Sequence, residues 1–219
     1  MKKIILVLLV MLNLSVFAQT ELKEGVISTK VTMSSDNEQM KASFAMLGDL
    51  STTTYFKGNK ARTEMDNPMA GKTTSIVNNE TKETLTLMDN PMMGKKYLKQ
   101  TIKKSEEELK DISVTPNGET KTVVGYACKG YDIVTKQHGT EIKMKMFVTD
   151  KILAQEQYSS MLGGKIKGFP LFMIISVNQS GMNMDTTMEV TEIKNESIDD
   201  SKFDMTVPEG YEEMKIPGK

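Results

Sequence analysis

From residue 27 onward the chain alternates between apolar or small residues and polar ones with a period of two, and nothing else in it restricts the possible folds so strongly. Ile27, Thr29, Val31 and Met33 share one side of an extended segment, while Ser28, Lys30 and Thr32 share the other. Such a segment suits a strand with one buried face and one wet face. The pattern returns over 52–57, 60–65, 73–78, 84–88, 121–135, 141–149, 172–180 and 184–194. Between runs stand turn-forming groups: Gly58-Asn59, Asn78-Asn79-Glu80, Gln137-His138-Gly139 and Ser180-Gly181. Short strands at regular spacing predict a mainly β fold, an antiparallel meander rather than a βαβ array.

Two segments break the alternation. Residues 101–111 offer Thr101 as a cap, Ile102 and Leu109 for an inward face and a charged outer face, which predicts a helix. Residues 36–47 place Met40, Phe44 and Leu47 at helical spacing and predict a second, although Phe44 and Met46 also suit a strand. One or two short helices therefore accompany the sheet.

A repeat marks two of the turns. Met65-Asp66-Asn67-Pro68-Met69-Ala70-Gly71-Lys72 returns twenty-three residues later as Met88-Asp89-Asn90-Pro91-Met92-Met93-Gly94-Lys95. Asn-Pro followed by Gly is turn chemistry, and two connections separated by one strand–turn–strand unit leave a meander on the same edge. Met69, Met92 and Met93 should thus stand together on one rim, either as part of a duplicated tight turn or beside a ligand.

The N-terminus has the form of a secretory leader. Met1-Lys2-Lys3 precedes an apolar stretch ending in Val16-Phe17-Ala18, before Gln19. About 14 apolar residues fall short of the roughly 20 needed to span a bilayer, so no stable membrane span is expected. The residue after Ala18 is Gln19 and not a cysteine, which argues against a lipid-anchored N-terminus. The expectation is a leader over 1–18 and a single periplasmic domain over 19–219. Of the 28 basic residues, Lys2 and Lys3 leave with the leader, and the remainder faces 29 acidic residues. A net charge near −3 gives no reason to bind nucleic acid.

Chemistry is sparsely provided. The one cysteine, Cys128, and the one histidine, His138, cannot make a closed zinc site. If a hairpin turns around His138, ten residues of strand put Cys128 about 30 Å away, which rules out a Cys–His dyad. Cys128 reads as a small buried hydrophobe. No phosphate-cradling glycine loop or serine nucleophile elbow occurs. Neither a catalytic residue nor a cofactor is expected. Met144-Lys145-Met146 and Met182-Asn183-Met184 have a spacing that soft thioether ligation of copper(I) would use. Residues i and i+2 of a strand also share a face, as core fillers should.

Apolar excess remains. Phe169-Pro170-Leu171-Phe172-Met173-Ile174-Ile175 is unbroken, and Ser159-Ser160-Met161-Leu162-Gly163-Gly164 precedes it. Either it is a strand buried on both faces, or part of it lines a cavity closed by the preceding loop. With no Trp and 6% aromatic residues, the chain relies on its 19 methionines, which give such a cavity an adaptable lining.

Gly58-Asn59-Lys60-Ala61-Arg62-Thr63-Glu64, Gly125-Tyr126-Ala127-Cys128-Lys129, Gly168-Phe169-Pro170-Leu171 and Phe203 followed by Pro208-Glu209-Gly210-Tyr211 carry a resemblance. In order and spacing they resemble the exported family catalogued as domain of unknown function 4412. That family is similar in turn to carriers of the LolA/LolB type, whose fold is an incomplete β-barrel with a helical lid over an apolar cavity. The resemblance implies a LolA-like half-barrel, lid or plug helices at 101–111 and 36–47, and a lid-latching position for Arg62. Local pairing of Arg62 with Glu64, two residues along the same strand face, is the competing reading. The functional expectation is a non-enzymatic module for a lipid or other apolar ligand. Arg62, Met69, Met92, Met93, Phe169, Leu171, Phe172 and Met173 are its candidate contacts. A structural or interaction protein of the cell envelope with no cavity is the alternative, and methionine-based copper binding a lesser one.

One test follows directly from Val16-Phe17-Ala18. Intact-mass analysis of protein recovered from the envelope of its own cells is expected to show a chain beginning at Gln19. A mass retaining residues 1–18 would remove the export reading.

Overall fold

Every alternating segment but one becomes a single strand, and the strands join into one sheet. The computed structural model describes residues 21–101, 109–137, 140–154, 162–179 and 181–214, so the expected leader over 1–18 and His138 lie outside it. β1 (Glu24–Ser35) leads into helix α1 (Glu38–Leu47). A meander follows: β2 (Leu50–Lys57), β3 (Lys60–Asn67), β4 (Gly71–Asn78), β5 (Glu83–Asn90) and β6 (Gly94–Thr101). The chain then crosses to the far edge for a second meander. That one comprises β7 (Ser113–Val123), β8 (Tyr126–Gln137), β9 (Thr140–Thr149), β10 (Phe169–Gln179) and β11 (Met182–Lys194). A 3₁₀ turn (Asp200–Phe203) and a two-residue β12 (Glu212–Glu213) complete the order.

β11 pairs with β1, so the spatial order is β12-β6-β5-β4-β3-β2-β1-β11-β10-β9-β8-β7. Each pairing is antiparallel except the short parallel one of β12 with β6. β6 with β12 and β7 hold opposite edges, and the barrel stays open. This is the mainly β antiparallel meander that the alternation predicts, left open as the resemblance implies.

Three details depart from the expectations. The run at 121–135 is not one strand, because Val124 and Gly125 turn it into the β7–β8 hairpin at φ of 42° and 86°. Residues 94–101 form β6, although Lys95, Lys96, Lys99 and Gln100 leave only Tyr97 and Leu98 to mark them as a strand. An edge strand packs little, so its sequence carries a weak signal. Of the helices, 36–47 is present as Glu38–Leu47, capped by Asn37, whose side-chain oxygen accepts from the Met40 amide at 3.0 Å. Asp36 instead accepts from the backbone and side-chain nitrogens of Asn183 on β11. Most of the expected helix at 101–111 lies outside the described residues; Thr101 ends β6, and Leu109 and Lys110 are helical.

The two faces of the first meander are covered differently. Ile27 and Phe56 point to one face, into a core with Leu171 and Val190. On the other face Val26 and Tyr55 meet Ile198 and Phe203, while Ile76, Leu85 and Leu87 meet Met205, Val207 and Tyr211. The chain after β11 is thus a strap across the back of β1–β6. Cys128 is 2% exposed, and its Sγ donates to the Tyr126 carbonyl at 3.5 Å. Burial pushes its thiol up to about 11.

Two measurements test this architecture. Val124 is a β-branched residue held at positive φ and 40% exposed, so Val124→Asn should relieve backbone strain at little packing cost. A gain of about 1 kcal/mol, or a melting temperature higher by about 2–4 °C, is expected from calorimetry. Cys128 should react with maleimide slowly in the folded protein and fast in denaturant, because only the thiolate attacks and the site is closed. Fast labelling of folded protein would contradict its placement in the core.

Candidate ligand-binding site

The face of the first meander that points away from the strap carries short side chains. Thr52 and Thr54 of β2, Ala61 and Thr63 of β3, and Thr73 and Ser75 of β4 stand on it in register. Threonine suits a strand but fills little space, so this wall is shallow. Opposite it, Phe169, Leu171 and Met173 of β10 and Met188 and Val190 of β11 form an apolar wall. Between them lies a cavity of about 270 Å³ that extends to Met65 and Val77. That volume is near the lower end of the roughly 300–1,000 Å³ typical of small-molecule sites. The polar wall is partly self-satisfied, since the Thr54 and Thr63 hydroxyls lie 3.0 Å apart across β2–β3. Its methyl groups and remaining hydroxyls are left for an occupant.

Two irregularities shape the cavity. The register shifts between Ser28 and Thr29 where β1 meets β11, and between Pro170 and Phe172 where β10 meets β9. Bulges of this kind bend a strand and sharpen its twist. Pro170 has no N–H to give to a ladder, which makes a bulge an economical place for it. Leu171, the unpaired residue, is 1% exposed and faces the cavity.

The residues singled out from the sequence fall into three places. Phe169, Leu171 and Met173 line the cavity together. Phe172 does not; successive strand residues point to opposite faces. It packs edge-on against Phe147, ring centroids 6.0 Å apart, with Lys121 Nζ 3.4 Å from its own centroid. Arg62 is also turned away from the cavity, on the strap side of β3. Its Nε donates to Glu64 Oε1 at 2.6 Å and its Nη1 to the Lys202 carbonyl at 3.3 Å. Burial pushes the Glu64 carboxyl up, but the hydrogen bond and charge of Arg62 outweigh it and hold it below the usual range. Arg62 therefore pins the strap to the sheet; the latching position over a cavity, implied by resemblance, is not where it stands.

Met69, Met92 and Met93 occupy the third place, on turn tips outside the cavity wall. The Asn67 side-chain oxygen accepts from the amides of Met69 and Ala70 at 2.8 and 2.7 Å. The Asn90 oxygen accepts from those of Met92 and Met93 at 2.8 and 2.9 Å. Asn90 Nδ2 also donates to the Ala70 carbonyl at 2.8 Å, so the duplicated turns stand side by side on one rim. A Cβ on Gly71 would lie 2.0 Å from the Asp89 carbonyl oxygen, which explains the glycine of that repeat.

The threonine and serine wall, with Met65, Met188 and Val190, escaped the sequence reading. The available signal was the parity of Thr52, Thr54, Ala61 and Thr63, small residues kept on one face where a core would use larger ones. Among the described residues no three His, Cys, Asp or Glu side chains come together as metal ligands. Met146, from one M-x-M pair, is 1% exposed in the core beside Met173.

No curated protein matches the chain. Two structures titled as PNGF-II are similar to it at 14% and 15% identity, with TM-scores of 0.47 and 0.48. The matches cover 88% and 87% of this chain but 32% and 31% of theirs, so it spans about a third of their length. The Mycobacterium tuberculosis lipoprotein LppX is similar at 9% identity and a TM-score of 0.31, covering 81% of this chain and 89% of that one. The profile described as Domain of unknown function (DUF4412) matches residues 24–211. That span includes nearly every strand of the sheet and the strap, and the chain belongs to the DUF4412 family.

Proposed function

We propose that this protein is a non-enzymatic binding module for a small lipid or other apolar ligand, working on the periplasmic side of an export leader. What supports the reading is the cavity between the threonine wall of β2–β4 and the apolar wall of β10–β11. A protein that only needed a packed core would place larger side chains where Thr52, Thr54, Thr63 and Ser75 stand, because voids cost stability. About 270 Å³ suits a single slender chain or a small ring system better than a multiply acylated cargo. The hydroxyl wall favours an occupant with a polar group along one side, since an unpaired buried hydroxyl is unfavourable.

The test is uptake of an environment-sensitive apolar probe by purified, delipidated protein. Saturable binding in the micromolar range, about −8 kcal/mol, is expected. Thr63→Asp should weaken it roughly tenfold or more by placing a carboxylate against the apolar wall, and Ser75→Leu should weaken it by filling space. Arg62→Gln should leave affinity unchanged while lowering the melting temperature by a few degrees, because it loosens the strap on the other face. Circular dichroism must show the native sheet in each variant. A folded, delipidated protein that takes up no acyl chain or ring probe would replace this reading with an interaction module.

A further inference from the structure

Among the described residues, large exposed apolar side chains are segregated by end. Five methionines stand out in solvent: Met46 at 73%, Met69 at 57%, Met92 at 93%, Met93 at 60% and Met182 at 36%. They sit on four separate connections, namely α1, the β3–β4 turn, the β5–β6 turn and the start of β11 after its hairpin. Strand register puts all four at one end of the sheet. Val31 pairs with Leu50, Asn67 with Gly71, Asn90 with Gly94, and Ser35 with Met184. The other large exposed apolar residues, Val124 and Leu153, belong to the opposite end, where β7 turns into β8 and β9 has finished.

Three of these methionines, Met69, Met92 and Met93, stand on turns held by hydrogen bonds. The duplicated turns fix their own backbones through Asn67 and Asn90 and are bonded to each other through Asn90 and Ala70. Met92, at 93% exposure, touches almost nothing, so it does not converge with Met69 and Met93 on a preformed thioether metal site. Most of the charges at this end are matched, and Asp36 is held by hydrogen bonds from Asn183. Asp66 is opposite Lys72, and Asp89 lies between Lys72 and Lys95 in the pairing. Glu38 bonds Lys41 at 2.6 Å and Asp49 meets Lys30 at 2.8 Å. The end is thus apolar at its tips and neutral behind them. The cavity also approaches it: Met65 and Thr73, which line the cavity, lie two ladder pairs inward of Asn67 and Gly71.

We propose that this end docks onto a phospholipid bilayer, with the methionine tips entering the interface. Separate protruding tips of flexible, unbranched side chains suit a fluid partner that closes around each of them. A folded protein partner would need one contiguous complementary patch instead. Because the local charges cancel, insertion is driven by apolar burial and not by attraction to anionic lipid. The proposal goes beyond the ligand reading and does not need the cavity to be filled.

The chain contains no tryptophan, so a single one reports unambiguously. Met92→Trp should show a blue-shifted emission when pure phosphatidylcholine vesicles are added, and Leu153→Trp, at the far end, should not. Flotation with those vesicles should carry the native protein upward, unchanged by added salt or phosphatidylglycerol. Each Met→Ser change at 69, 92 or 93 should lower partitioning by up to about tenfold, while Leu153→Ser leaves it unaltered. No shift and no flotation would overturn docking. So would vesicle binding that salt abolishes, stoichiometric copper(I) capture by these methionines, or a methionine-dependent dimer without vesicles. Probe uptake measured without vesicles separates the two readings: a protein that takes up probe but does not float loses only docking, and one that floats without uptake loses only the cavity.

Discussion

Ten residue pairs between β1 and β11, from Val26 with Lys194 to Ser35 with Met184, turn two independent meanders into one sheet. Each meander pairs strands that follow one another in the chain, mostly through hairpins, with α1 between β1 and β2 and a longer connection between β9 and β10. Their union brings together segments about 160 residues apart, so it carries the largest loop-closure cost in the fold and belongs among its later steps. The cavity exists only because of that seam. Its threonine wall comes from one side and its apolar wall from the other, and Thr29 and Val190 pair across the join. The bulge beside Thr29 adds the local twist that turns the two walls toward each other.

The two faces of the first meander follow opposite packing strategies. Toward the strap, Ile76, Leu85, Leu87 and Tyr97 are large and meet large partners. Toward the cavity β2, β3 and β4 offer mostly threonine, serine and alanine. A strand needs side chains that tolerate the pleat, and threonine meets that need without volume. Interior space is thereby kept open without weakening the ladders around it. Arg62 and Glu64 belong to the strap side, where their ion pair is half-buried and the Lys202 carbonyl completes the guanidinium's contacts.

Much of this was legible in the residues because period-two alternation maps directly onto a sheet with two unlike faces. The hairpin at Val124 was not, since a β-branched residue at positive φ contradicts turn chemistry, and only Gly125 beside it hinted at a break. β6 hid behind its lysines. In the site, Phe169, Leu171 and Met173 stood out as an apolar run, yet Phe172 shares that run and faces elsewhere, because composition says nothing about parity. Arg62 could have been placed by parity alone, as it alternates with Ala61 and Thr63. Threonines escaped because a hydroxyl on a strand reads as solvent-facing until a second wall appears opposite, and that wall comes from a segment more than a hundred residues away.

The described methionines span the full range of exposure, and an oxidant would treat the two extremes differently. Met146 and Met173, at 1% and 2% exposure, are shielded by the packing around them. Met46, Met69, Met92 and Met93 need no unfolding to be reached. Conversion of a thioether to its sulfoxide turns a flexible apolar side chain into a polar one. Among the described residues, oxidative attack therefore falls first at one end of the sheet, where the loss of apolar character leaves the core intact.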